Sequence, residues 1–164
     1  TDMKKRSALL LAALLSLALL GCVKEEPRVP TVGEVSETVL TADAPIVLET
    51  TEASYPADVK TVTVRVTNTS EETYTFGRSF ALEIFSGDQW CTLTPAPSDK
   101  TFTVTDEGIF LNSDKPVEVE DGLEYYGTQF TPGRYRIVRK FWPEGGGENV
   151  TAAAEFTIAE EVSQ

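Results

Sequence analysis

The sequence predicts an all-β protein, an antiparallel β-sandwich of about seven strands. Three observations carry this. Apolar and polar residues alternate with period two through residues 46–159, from Val62, Val64 and Val66 to Tyr135, Ile137 and Phe141. Turn formers punctuate the alternation at Asn68-Thr69-Ser70-Glu71, Ser86-Gly87-Asp88 and Gly145-Gly146-Gly147. All aromatic residues lie between Tyr55 and Phe156, which marks a single core. Beyond Cys22 no stretch sustains a 3.6-residue period, and at most one helical turn fits, near Asp121–Tyr126.

In chain order, residues 1–21 read as a lipoprotein signal peptide. Met3 is the expected start. Lys4-Lys5-Arg6 make a basic opening, and Ala8 to Leu20 is an uninterrupted run of Ala, Leu and one Ser. That run is short for a transmembrane helix, which needs about 20 residues, and suits a signal peptide. It closes on Leu19-Leu20-Gly21-Cys22, which has the form of a lipobox. Cleavage is expected between Gly21 and Cys22, with lipid attached to Cys22. Several acyl chains on one residue give stable anchoring where a single chain does not.

Residues 22–45 read as the lipidated cysteine and a flexible tether, with three prolines and no aromatic residue. The alternative is a first edge strand over Glu34–Leu40. Residues 46–159 are the sandwich. Ile46–Thr51, Thr61–Val66, Phe80–Ile84, Gln89–Leu93, Arg134–Phe141 and Ala152–Ile158 are expected strands. Phe102 with Val104, Ile109 with Leu111, and Val117 with Val119 are weaker signals. Residues 160–164 are a short tail.

Charge narrows the function classes. The whole chain carries a formal −12. From Cys22 onward eleven bases face twenty-five acids, a net −14. Such a surface repels nucleic acid and anionic lipid, so membrane contact is expected through acylated Cys22. There is no histidine, which removes Ser-His-Asp and Cys-His catalysis and the usual zinc and copper sites. No catalytic residue, cofactor or metal is predicted. Asp106-Glu107 and Asn112-Ser113-Asp114 offer oxygen ligands, but match no calcium loop with regular spacing. With Cys22 acylated, Cys91 has no partner and is expected to be buried.

Thr131-Pro132-Gly133-Arg134-Tyr135 places a tyrosine at the start of a late strand, where immunoglobulin-like sandwiches fold its hydroxyl back onto the chain as a tyrosine corner. Taken together, Val62–Asn68, Tyr74-Thr75-Phe76-Gly77, Phe80-Ala81-Leu82-Glu83, Gly87 with Trp90, Tyr126-Gly127 and Pro132–Val138 resemble the bacterial immunoglobulin-like domain of small Gram-positive lipoproteins. The resemblance spans roughly residues 47–141. It implies an extracytoplasmic sandwich, and it implies no defined activity and no catalytic residues. Thr128-Gln129-Phe130 departs from the family pattern.

The candidate binding residues are Trp142, Arg134, Arg136 and Lys140. The three bases share one strand face if Tyr135, Ile137 and Phe141 point inward, and Glu83 and Glu155 are their expected cross-strand partners. Trp142 precedes the Gly145–Gly147 loop. The expected function is a non-catalytic binding or structural module on the outer face of the bacterial cytoplasmic membrane, docking a protein, peptide or wall glycan. The alternative is a protease inhibitor presenting the Thr94–Lys100 loop.

Overall fold

The structure is a computed structural model, and it describes residues 25–160 apart from 104, 106 and 114. Gly21, Cys22 and the leader lie outside the described residues, as do Val104, Asp106, Asp114 and the last four residues of the expected tail. The described chain is all β. Its strands are β1 (Thr31–Val35), β2 (Ile46–Thr50), β3 (Ser54–Tyr55), β4 (Thr61–Asn68), β5 (Tyr74–Phe76) and β6 (Ala81–Ser86). There follow β7 (Gln89–Thr94), β8 (Ile109–Leu111), β9 (Val117–Gly122), β10 (Gly133–Pro143) and β11 (Val150–Ile158).

Two sheets pack face to face. The larger has the order β1-β7-β6-β10-β11-β3, with β5 paired to the far end of β10 and β8 paired to β5. The smaller is β2-β4-β9. Pairing is antiparallel except where β3 joins β11, with Thr157 opposite Ser54. The turn between β6 and β7 is tight because Gly87 (φ 58°) and Asp88 (φ 66°) both take the left-handed conformation. A two-residue hairpin of matching twist requires that conformation.

The period-two pattern sets the core. Val62, Val64 and Val66 of β4 and Ile137 and Phe141 of β10 are fully buried between the sheets. Burying each such side chain stabilises the fold by about 1.5–3 kcal/mol. Phe76 packs on Phe141 with ring centres 5.1 Å apart, and Tyr135 stacks on Phe156 at 5.7 Å. Cys91 is buried in this core, while its neighbour Trp90 faces outward, as alternation requires.

The expected tyrosine corner forms. The Tyr135 hydroxyl donates to the Thr131 carbonyl at 2.7 Å. Replacing Tyr135 by phenylalanine is expected to cost about 1 kcal/mol, with the fold unchanged. A denaturant titration checks this. The expected helical turn is a single turn after β9, in which the N–H groups of Tyr126 and Gly127 both reach the Leu123 carbonyl. Phe102 belongs to no strand. It lies in the loop after β7, its ring 5.7 Å from that of Tyr125.

The flexible tether expected over residues 22–45 is corrected by the structure from Arg28 onward. The Arg28 N–H donates to the Thr128 hydroxyl at 2.9 Å, and its carbonyl accepts from Thr128 and Gln129. Pro30 is buried against Gly127. A Cβ on Gly127 would lie 2.5 Å from the Arg28 carbonyl oxygen, so only glycine permits this close approach. β1 then pairs with β7, with Thr31 opposite Thr94 and Val35 opposite Cys91. An edge strand thus exists, a few residues before the Glu34–Leu40 alternative.

Beyond β1 the chain crosses the outer face of the large sheet as a strap. Ser36 bonds the Trp90 carbonyl at 2.8 Å, and Thr41 exchanges hydrogen bonds with Thr151 on β11. Pro45 receives the Thr69 N–H before β2 begins. Docked structure therefore begins near Arg28, ahead of the sandwich expected from residue 46. Backbone hydrogen bonding to an open strand edge holds β1 in this addition.

Candidate functional site

Two charged clusters and one groove stand out. β10 organises all three. Its odd-numbered residues from Tyr135 point inward, and its even-numbered residues from Arg134 point to the outer face.

Arg139 is the inward exception to an apolar row. Its guanidinium crosses between the sheets to Asp121 on β9, and both side chains are almost fully buried. It also donates to the Gly77 carbonyl at 2.8 Å and the Ser79 carbonyl at 3.1 Å, where β5 gives way to β6. The cation lies 5.7 Å from the centre of Phe76 and 5.5 Å from that of Phe80. Burial pushes the Asp121 carboxyl up to about 6, against the opposite pull of Arg139. Burial also lowers Arg139, against the pull of Asp121.

On the outer face Glu83 and Arg136 pair at 2.6 Å beneath the strap. The Ser36 and Thr38 hydroxyls each donate to the other Glu83 oxygen at 2.6 Å. The Arg136 guanidinium lies over Trp90, 4.4 Å from the ring centre. One carboxylate thus ties the strap, the sheet and a cation together. Charge-assisted hydrogen bonds of this kind contribute about 1.5–3 kcal/mol each.

Beside the strap a groove of about 980 Å³ lies over the junction of β5, β6 and β10. Val138, Lys140 and Trp142 form part of its lining, with the strap residues Thr38 and Val39 also contributing. Trp142 is 47% exposed. Thr75, Ser79 and Thr151 line the same space. Thr75 also donates to Glu144 in the loop that follows β10. Lys140 is exposed, and among the described residues it makes no ion pair.

The four candidate residues are therefore divided. Trp142 and Lys140 meet in the groove. Arg134 lies outside it, exposed, pairing with Glu155 at 3.0 Å and stacking on Phe85 at 4.5 Å. Arg136 is corrected as a contact residue. It is 6% exposed, because the strap covers it and Glu83 neutralises it. Both arginines adopt the cross-strand pairs expected from sequence. The Thr94–Lys100 loop is pinned at its centre, where buried Ala96 donates to the Tyr126 carbonyl at 2.8 Å. Among the described residues no group of three or more acids or cysteines is placed to hold a metal ion.

A family model described as the bacterial Ig-like domain matches residues 43–157, which span β2 to β11.

The chain belongs to the bacterial Ig-like domain family.

No curated protein matches it. Ig-like domains of this family are typically non-catalytic structural or binding modules. The family match begins at residue 43, near the end of the strap. β1 and most of the strap thus lie N-terminal to the matched Ig-like domain, and the strap residues from Ser36 to Val39 line one side of the groove.

Sequence reasoning missed the Asp121–Arg139 pair and the Glu83 latch. A signal for the first was present. Asp121 continues the inward phase of Val117 and Val119, and Arg139 continues that of Ile137. An acid and a base in apolar phase on two strands is the pattern of a bridge between sheets. No comparable signal marks the latch, since Ser36 and Thr38 are ordinary polar residues in a polar stretch.

Proposed function

We propose that this chain is a lipid-anchored, non-catalytic binding module at the outer face of the bacterial cytoplasmic membrane, and that its outer-face groove takes a wall glycan. The observation that carries the reading is the half-exposed Trp142 standing in a groove beside Lys140 and several hydroxyl-bearing residues. An exposed indole offers an apolar face to the C–H face of a sugar ring. Hydroxyl side chains supply both donors and acceptors for the sugar hydroxyls. Lys140 supplies a cation for the carboxylates of wall polymers. The lipobox at Leu19–Cys22 and the charge of −14 beyond it support the anchored location.

The chain from Cys22 onward, carrying Cys22→Ser to prevent acylation, tests the groove by sedimentation with purified insoluble peptidoglycan. The wild-type groove is expected to co-sediment. Trp142→Ala is expected to weaken binding by about 30-fold or more, the scale of a central aromatic anchor. Lys140→Ala is expected to weaken it by about 3- to 10-fold and to reduce its salt sensitivity. Absence of sedimentation, or equal sedimentation by the Trp142 variant, contradicts the glycan reading.

A further inference from the structure

Resting on the acylation of Cys22 proposed above, we infer that the domain lies against the bilayer on its Phe102–Tyr125 side, and that this aromatic pair is a lipid-contact surface. The first observation is where the docked chain begins. From Arg28 the backbone is bound to the Thr128–Gln129 segment, and its guanidinium donates to the Glu124 carbonyl at 2.7 Å. Six residue steps separate Cys22 from Arg28, a reach of at most about 20 Å. The free leash expected for residues 22–45 would reach nearly four times as far.

The second observation is what surrounds that point. The Arg28 guanidinium lies 5.9 Å from the centre of Phe102, and Phe102 meets Tyr125 edge to face. Tyr125 is 51% exposed. Phe102, Tyr125 and Tyr126 line an open depression with Lys60 and Arg78. A tyrosine with an apolar body and a polar tip suits the headgroup layer of a membrane. The opposite end of the sandwich is out of reach. Leu123 is bonded to Lys60 at the start of β4, whereas Glu144 is bonded to Thr73 beyond the end of β4. Eight strand residues put these ends about 25 Å apart. The mature charge of −14 makes a neutral bilayer the fitting partner.

The test uses the full chain, purified from membranes and reconstituted in phosphatidylcholine vesicles that carry a nitroxide on some headgroups. Single cysteines at Tyr125→Cys, Thr103→Cys and Glu148→Cys take a bimane label. Buried Cys91 stays unlabelled, and Thr103→Cys keeps both rings in place. Mass measurement of the N-terminal peptide in the same preparation reports acylation. The labels at 125 and 103 are expected to be quenched at least about threefold more than the label at 148. Equal quenching at all three sites on an acylated chain overturns this inference and leaves the anchor standing. A chain found without acyl groups overturns the anchor, and this inference with it.

Discussion

Replacing Arg139 by alanine is expected to lower the stability of the domain by about 3–5 kcal/mol, the usual cost of removing one member of a buried ion pair. The change leaves Asp121 without its cation inside the core and strips the Gly77 and Ser79 carbonyls of a donor. It also opens a cavity beside Phe76 and Phe80. The shift of the denaturant midpoint measures it. Removing both charges, as in Asp121→Leu with Arg139→Met, is expected to recover part of the loss, because apolar side chains of similar volume avoid the desolvation of both ions. The remaining shortfall belongs to the two carbonyls.

The same pair gives the fold a pH dependence of definite sign. Burial holds the Asp121 carboxyl up to about 6, above its ordinary value of 3.8. The folded chain therefore binds this proton more tightly than the unfolded chain. The stabilisation from the neutral acid is complete below about pH 4 and is lost as pH rises through about 6. Asp121→Asn removes the titrating group. Wild type is expected to lose stability relative to Asp121→Asn between pH 4 and 7, as read from paired denaturant titrations. A difference that stays constant or changes in the opposite sense contradicts the assignment.

Replacing Glu83 by alanine is the second large effect. Arg136 would be left buried and uncompensated, and the Ser36 and Thr38 hydroxyls would lose their acceptor. A loss of about 3–5 kcal/mol is expected. Its distinguishing sign is local. Amide exchange should accelerate over residues 36–41 well before the core of β4 and β10 opens, because the strap has few apolar contacts to keep it down. Glu83→Gln is expected to fall between the two, since it accepts the hydroxyl bonds and loses the charge. Uniform exchange across strap and core in the alanine variant would show that Glu83 does not latch the strap.

These two clusters also mark where the sequence was legible. The alternation of Val62, Val64 and Val66, the turn at Gly87-Asp88 and the corner at Tyr135 each follow from local rules, and each appears where expected. The cross-strand partners Glu83 and Glu155 were legible too, because strand pairing fixes neighbours once register is known. The strap was not. Its attachment depends on which backbone edge β7 leaves open and on a carboxylate forty-seven residues away in the chain. A polar, proline-containing segment has the same composition whether it is free or docked. The groove was legible only in part. Trp142 and Lys140 were visible as candidates, but the strap residue Val39 and the Thr75–Ser79 stretch join them only through the tertiary fold.

The most direct measurement of the groove's role uses the two indole N–H signals of the chain. Trp142 stands half-exposed in the groove, and Trp90 lies on the same sheet face under Arg136 as an internal reference. In a titration of ¹⁵N-labelled protein with soluble peptidoglycan fragments, the Trp142 indole and the Lys140, Thr75 and Val39 amides are expected to shift together, with the Trp90 indole unmoved. Shifts confined to the β6–β7 hairpin, or no shift at millimolar fragment, would contradict the assignment of this groove as the binding site.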